Sequence, residues 1–415
     1  MPSEAGMAKA IALRPTQAHS AVAIDARRQR EPSRECEFHV KQEGTPALAF
    51  LEEAIREAAQ QGLLRSRPAA TRTGLLSFCS NDYLDLAERV APRAACGAGS
   101  SRLVSGDRLI HRELEDAASA LVGQDSSLVF TSGYAANVGA LPALAGPGDL
   151  IVSDERNHAS IIDGARLSRA RVKVVPHLDV EAVALALSTG DFRRALVATE
   201  SYFSMDADTP DLRALRRICD VHNAILYVDE AHALGVLGPD GRGLCAEAGI
   251  LPDAVVGTFG KAFGAAGAFV SGSATLTTWL WNRARSFVFS TGLAPVVAAS
   301  ALAGIECSKR EPARRETARR RAAQLRARLQ ILGIRLQGSG HIIPWIVGDS
   351  TAAMDAAEAL ASHGIDVRAI RPPSVEPGTA RLRFTVGAAH SESDVDKAAK
   401  AVASVVSRGL SCAAG

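Results

Sequence analysis

Seven short runs rich in β-branched and small residues fall between residues 97 and 300: SSLVF, DLIVSD, VKVVP, RALVATE, AILYVDE, AVVGTFG and GAFVSG. Stretches with helical spacing, such as HRELEDAASALVG and DLRALRRICDVHN, lie between them. Strand–helix alternation of this kind predicts an α/β fold, a mostly parallel central sheet with helices on both faces. Such folds gather their sites in loops beyond the carboxyl ends of the strands. Those loops are the place to look for chemistry.

The 415-residue chain is 47% hydrophobic and 22% charged, enough to bury a large core and to divide into two or three domains. Residues 1–45 mix Arg, Ser, Pro and small residues without a sustained period and are expected to form a disordered tail. Residues 46–96 carry ALAFLEEAIREAAQQGLLRS, an amphipathic helical pattern with acids early and Arg late. LLSFCSNDYLDL then reads as a short strand entering a polar turn. Residues 97–304 hold the alternation and form the large domain. Beyond 305 the texture changes: EPARRETARRRAAQLRARLQILG is a long Arg-rich helix, followed by strand runs IIPWIVGD and RLRFTVG and helices near 351–363 and 391–407. These predict a smaller C-terminal α+β domain over 305–415. The Arg run is expected to be a solvated helix face.

Charge narrows the function classes. Lys plus Arg is 47 and Asp plus Glu 45, a formal charge of +2, which gives no reason to expect nucleic acid or a membrane as partner. The seven cysteines are scattered without a CxxC spacing, which suits a reducing cytoplasm better than a disulfide framework or a zinc site. No apolar stretch is long enough to span a bilayer.

Three strand ends carry polar groups that a bare loop does not need. YVDEAH ends a strand at Asp229 and sets His232 three residues on; SDERNHASIIDGARLS ends another and carries His158. VVGTFGKAFG places Lys261 between Gly260 and Gly264, with Thr258 three residues before it. A lysine can form a Schiff base with a carbonyl once burial or a nearby positive charge lowers its pKa. An aspartate beneath a pyridine ring keeps the ring nitrogen protonated, and that pair is what pyridoxal phosphate demands of a protein. FTSGYAANVGAL runs from a strand end through a Ser-Gly turn into a helix start, so the backbone N–H groups of Gly133 and Tyr134 would favour an anion. The glycines around Lys261 are expected to let the backbone pass close to the cofactor ring and phosphate.

Taken in order and spacing, these stretches resemble the α-oxoamine synthases, fold-type I enzymes that use pyridoxal phosphate to join an amino acid to an acyl thioester. The resemblance runs from SNDYLDL (80–86) to ARLRFTVGAAHSESDVD (380–396), and includes GAGSSRLVSGD, TESYFSMDAD, VDEAHALGVLGPDGRG, TFGKAFG and FSTGLAP. It implies pyridoxal 5'-phosphate as cofactor, held by Lys261, which then serves as the proton-transfer base. Asp229 would pair with the pyridinium nitrogen and His158 would stack on the ring. His232 and Ser204 would lie near the phenolic oxygen, and Glu200 would shape the reacting end. Thr258 and the backbone at Gly133 and Tyr134 would hold the phosphate. Ser290, Thr291 and Asn81 would reach the site of a neighbouring subunit, which implies a homodimer. Arg381 would receive the amino-acid carboxylate, a group its guanidinium fork matches in shape and charge. Strand periodicity puts Arg383 on the same face, so only the motif prefers Arg381. Ser101 and Arg65 are further substrate-binding candidates.

Members of this family differ in substrates: alanine with a pimeloyl thioester, glycine with acetyl- or succinyl-coenzyme A, serine with palmitoyl-coenzyme A. AIRPPSVEPGTARLRF opens its loop with the Arg-Pro-Pro of the pimeloyl-accepting members. Apolar Leu103 and Val104 stand where aminolevulinate synthases carry an Asn-Ile pair. Both features imply L-alanine with pimeloyl-coenzyme A or pimeloyl-acyl carrier protein, the condensation of biotin synthesis, without separating the two donors. Asp85 stands where the family usually has glycine. A sister synthase using glycine or serine, and a fold-type I aminotransferase, are the alternative readings.

Overall fold

The computed structural model describes residues 46–65 and 74–407, so the tail expected over 1–45 lies outside the described residues. The chain divides into two units, residues 1–56 and 57–415. The first amphipathic stretch forms helix α1 (Ala49–Gln60), and the LLSFCS run yields only a two-residue strand, β1 (Leu76–Ser77). The alternation then unfolds as α2 (Leu109–Val122), β2 (Ser126–Phe130), α3 (Gly133–Leu144), β3 (Leu150–Asp154), α4 (Ala159–Ser168) and β4 (Arg171–Val175). It continues through α5 (Val180–Ser188), β5 (Ala195–Glu200), α6 (Leu212–Val221), β6 (Ile225–Asp229), α7 (Leu244–Ala248), β7 (Ala254–Thr258) and β8 (Ala268–Gly272). Helices α8 (Ala274–Arg283), α9 (Arg285–Val288), α10 (Pro295–Arg310) and α11 (Pro312–Ile331) follow. The chain closes with β9 (Ile342–Gly348), α12 (Ser350–Ser362), β10 (Ile365–Asp366), β11 (Arg368–Ile370), β12 (Ala380–Thr385) and α13 (Glu392–Ser407).

All seven runs singled out in the sequence pair into one sheet, in the order β2-β8-β7-β6-β5-β3-β4. Its neighbours are parallel, except that β8 runs antiparallel to β2 and β7. Strands β3, β5, β7 and β8 are buried at every residue, as a sheet covered on both faces requires. The edge strand β4 is exposed at four of its five residues and presents Arg171 and Lys173, charges that discourage further pairing. Along β5 the pleat divides two cores. Leu196 and Ala198 join Phe130, Leu141 and Ile161 on one face, while Ala195 and Val197 join Leu187, Leu215 and Leu226 on the other.

The smaller sheet is β11-β12-β9, antiparallel throughout. Its core contains Trp345, Leu360, Phe384 and, from far upstream, Phe78. Helix α11 departs from the expectation of a solvated Arg-rich face. Arg315 is buried, and Arg326 donates to the carbonyls of Gln337, Gly338, Ser339 and Gly340. Irregular backbone ahead of β9 needs donors that no strand partner supplies, and the long guanidinium stem delivers them. Asp85 takes the left-handed conformation, φ +56, which accounts for the glycine preferred there. No helix among the described residues is long and apolar enough to cross a membrane.

Candidate active site

Parallel pairing puts several chemical groups at one end of the sheet. Glu200 ends β5 directly opposite Asp229, which ends β6. Lys261 follows three residues after the end of β7, the neighbour of β6. His158, after β3, serves as the N-cap of α4, its Nδ1 accepting from the Ser160 backbone, and its own backbone N–H donates to Glu200 Oε1 at 2.7 Å. Burial pushes the Lys261 ammonium down to about 8, against the pull of Asp229 and Glu200. Burial, aided by the Asp229 charge, pushes the Glu200 carboxyl up to about 8. His158 is held below its ordinary value by burial, and Lys261 works in the same direction. This is the electrostatic setting a nucleophilic lysine requires.

Asp229 is held by its neighbours. One carboxylate oxygen accepts from the Ala231 backbone at 2.9 Å, the other from Asn137 Nδ2 at 2.9 Å. His232 is enclosed, and burial followed by Lys261 and Arg383 keeps its ring neutral, well below the ordinary histidine value. Its Nδ1 lies 2.7 Å from the Tyr83 hydroxyl. That hydroxyl is 3.2 Å from Asn81 Oδ1, which Arg383 approaches with both terminal nitrogens at 3.3 and 3.4 Å. Asn81 therefore takes part in the polar cluster of its own chain.

The two arginines of β12 part company. Arg381 is anchored through two of its three nitrogens: its NH1 meets Asp206 Oδ1 at 2.6 Å and the Met205 carbonyl at 3.1 Å, and its Nε meets the Thr379 carbonyl at 3.0 Å. Arg383 is buried beside Lys261 and His232, bonded loosely to Asn81 and also to the Tyr83 hydroxyl, and its Nε has no partner. The β-bulge falls between Ala380 and Arg381, and from Arg381 to Thr385 the strand pairs residue for residue with Ile346 to Ile342, so the two arginines keep the same alternation and differ in their partners.

A cavity of about 340 Å³ opens against His158, Glu200, Ser204 and Arg381, with Ser374 of the Arg-Pro-Pro loop on its far side. Arg65 donates to Ser374 Oγ at 3.3 Å, which brings it to this rim. The loop that carries Ser204 is pinned by His177, whose ring spans Asp154 at 2.8 Å and Asp208 at 3.1 Å with Phe203 edge-on.

At the other end of the site, Ser132 caps α3 by accepting from the Ala135 N–H at 3.0 Å. The Gly133 and Tyr134 N–H groups occupy the first turn, where no preceding carbonyl serves them. The Thr258 hydroxyl donates to the Gly267 carbonyl at 3.0 Å and accepts from Gly260 N–H at 3.1 Å. Gly264 corrects one expectation. It has φ +64, and a Cβ there would lie 2.5 Å from backbone atoms of Leu86 and Ala87, so the turn after β1 dictates this glycine rather than a ligand. Gly260 is open, with nothing nearer than 3.5 Å. Ser290 and Thr291 sit with Arg102 and Phe130 around a small recess. Ser101 precedes the π-helical turn Arg102–Gly106. No hydrogen bond among the described residues joins Ser101, Ser290 or Thr291 to the Lys261 cluster.

The model of the family "Aminotransferase class I and II" matches residues 73–402. An 8-amino-7-oxononanoate synthase of Marinobacter nauticus is 42% identical over 372 residues, covering 84% of this chain and 94% of its own. One from Anaeromyxobacter sp. strain K is 46% identical over 344 residues, 80% of this chain and 86% of its own. The chain belongs to this aminotransferase family, in its α-oxoamine synthase branch. Among solved structures, a serine palmitoyltransferase from S. paucimobilis with a bound PLP–myriocin aldimine superposes with a TM-score of 0.80 at 26% identity, covering 88% of this chain and 98% of that one. Within that branch's motifs, sequence reasoning passed over Asn137, Tyr83 and Ser160. A signal was available for Asn137: it is the one amide in an otherwise small and apolar helix start, GYAANVGAL.

Proposed function

We propose that this chain condenses L-alanine with a pimeloyl thioester, releasing CO2 and free thiol and giving 8-amino-7-oxononanoate. Pyridoxal phosphate is the cofactor, and the residues fit it: a lysine of depressed pKa, a carboxylate fixed by two donors, and a helix N-terminus with a free first turn. When bound, it supplies an electron sink for the charge left as bonds at the amino acid's Cα break. The chain's own groups do the rest. Lys261 takes and returns the Cα proton, its basicity matched to neutral pH by burial. Asp229 would accept a hydrogen bond from the protonated ring nitrogen, and His232, enclosed beside Lys261 and Arg383, would present a neutral imidazole. The first turn of α3 would hold the phosphate. Arg383, with its unpartnered Nε, takes the amino-acid carboxylate, while Arg381 steadies the Ser204 loop through Asp206.

The observation that carries this reading is the meeting of Lys261, Asp229, Glu200 and His158 at adjacent strand ends, in a chain whose relatives carry that synthase name. Ser290 and Thr291 serve a neighbouring subunit in a homodimer. Support for this comes from the apolar surface nearby, Val104 at 78% and Phe289 at 72% exposure. The likeness to serine palmitoyltransferase favours, as second reading, serine with a long acyl donor. The test crosses L-alanine, glycine and L-serine with pimeloyl-, acetyl-, succinyl- and palmitoyl-coenzyme A, with pyridoxal phosphate added, and measures CO2 and thiol. Turnover dominated by alanine with the pimeloyl donor is expected; serine with palmitoyl dominating would move the chain to the second reading. Amino-group exchange without CO2 would mark an aminotransferase.

A further inference from the structure

Beneath the reacting groups lies a buried chain of hydrogen bonds with a single direction. Asn137 Nδ2 is 2.9 Å from Asp229 Oδ2 and 2.9 Å from Ser160 Oγ. A carboxylate oxygen can only accept, so the atom facing it is the amide nitrogen, and this fixes which way the Asn137 side chain points. Its Oδ1 then faces the Tyr227 hydroxyl at 2.7 Å, which must donate. Both hydrogens of the Asn137 amide are used, one on Asp229 and one on Ser160. Ser160 Oγ therefore spends its own hydrogen on His158 Nδ1, 2.7 Å away, where the Ser160 backbone N–H also points at 3.2 Å. Since the Ser160 backbone N–H donates to Nδ1, that nitrogen carries no proton, and the ring proton sits on Nε2. Asn137, Ser160 and Tyr227 are each no more than 1% exposed, so water does not compete for these bonds.

We propose that Asn137 is a positioning residue that couples the two faces of the cofactor site: through one amide hydrogen it sets the charge distribution of Asp229, and through the other it orders Ser160 and hence His158. Tyr227 is its orienting partner. Without that hydroxyl the amide can turn over, presenting its oxygen to a carboxylate that repels it. The helix supplies the geometry, since Asn137 lies one turn along α3 from Gly133. The element that cradles a phosphate thus also reaches the carboxylate at the far end of the same ligand. This inference rests on the reading of Lys261 and Asp229 as a pyridoxal phosphate site.

Full-length protein is stripped of cofactor and titrated with pyridoxal phosphate. Affinity is followed by quenching of protein fluorescence, and the visible band of the bound cofactor is titrated from pH 5 to 10. Asn137→Leu keeps the volume and removes the donor to Asp229. One charged hydrogen bond is expected to move the spectral midpoint by about one pH unit and weaken affinity roughly tenfold or more. Tyr227→Phe, which keeps its ring in the core, should move the midpoint in the same direction by less, and it carries the test if Asn137→Leu does not fold. A parent band whose midpoint is unmoved in both variants overturns the proposal alone. A parent chain with no visible band, or a band that survives Lys261→Ala, sinks the reading of the site and the proposal with it.

Discussion

Replacing His177 tests how the site is held open. Its side chain is 8% exposed and spans Asp154 and Asp208, which are 7% and 24% exposed. Burial opposes the charged ring, but the two carboxylates prevail and lift its pKa from 6.5 to about 9. A histidine whose folded pKa lies above its unfolded one contributes stability that is complete below about pH 6.5 and fades as pH rises to about 9. A shift of this size corresponds to about 3 kcal/mol, nearer 2 once the partial exposure of Asp208 screens one pair. His177→Gln keeps an amide able to reach one carboxylate and removes the charge. Urea unfolding of parent and variant at pH 6, 7.5 and 9.5 should show a gap of about 2 kcal/mol at pH 6 that closes by pH 9.5. A gap that stays constant across the range would refute the imidazolium and leave only packing against Phe203. The same substitution frees the loop carrying Ser204 and Asp206, so Arg381 loses part of its anchor.

Other substitutions separate the groups of the site. Lys261→Ala should abolish both the visible cofactor absorption and turnover, since no other lysine among the described residues shares its enclosure by Asp229 and Glu200; absorption spectra and thiol release read this directly. Arg383→Lys should raise the KM for the amino acid about ten- to a hundredfold with the fold intact, because a single ammonium replaces a fork. Arg381→Ala should instead cost about 1.5 to 3 kcal/mol in urea unfolding, because it removes one of the two arginines on buried Asp206 and leaves Arg156 at 3.3 Å as the other. Steady-state kinetics set beside unfolding curves distinguish the two. Reversed roles would return the carboxylate to Arg381.

What could be read from the sequence follows a physical divide. The strand runs were legible because interior strands of a doubly covered sheet are apolar throughout, and the groups after them because strand ends are where the chain can carry polar side chains. Lys261, Asp229, Glu200 and His158 are all of this kind, at a strand end or within four residues of one. Tyr83 and Asn137 act across long sequence separations, 149 residues for Tyr83 and His232 and 92 for Asn137 and Asp229, and no local pattern names the partner. The different surroundings of Arg381 and Arg383 come from residues far away in sequence, Asp206 for one and Asn81 for the other, which a period of two does not register. Arg326 was misjudged because an arginine that caps carbonyls and one that faces water look alike in a run of arginines.

The antiparallel strand β8 has a consequence for how the protein comes into being. β2, the first strand of the large sheet along the chain, pairs only with β8, the last, with residues 131–267 between them. On a ribosome adding 5 to 20 residues per second, β2 waits on the order of ten seconds with both edges unpaired. Ser132, the cap of α3, stands two residues beyond that waiting strand. The phosphate cradle proposed at the start of α3 is therefore among the last parts of the site to be fixed. A nascent chain short of residue 272 should therefore be unable to retain the cofactor.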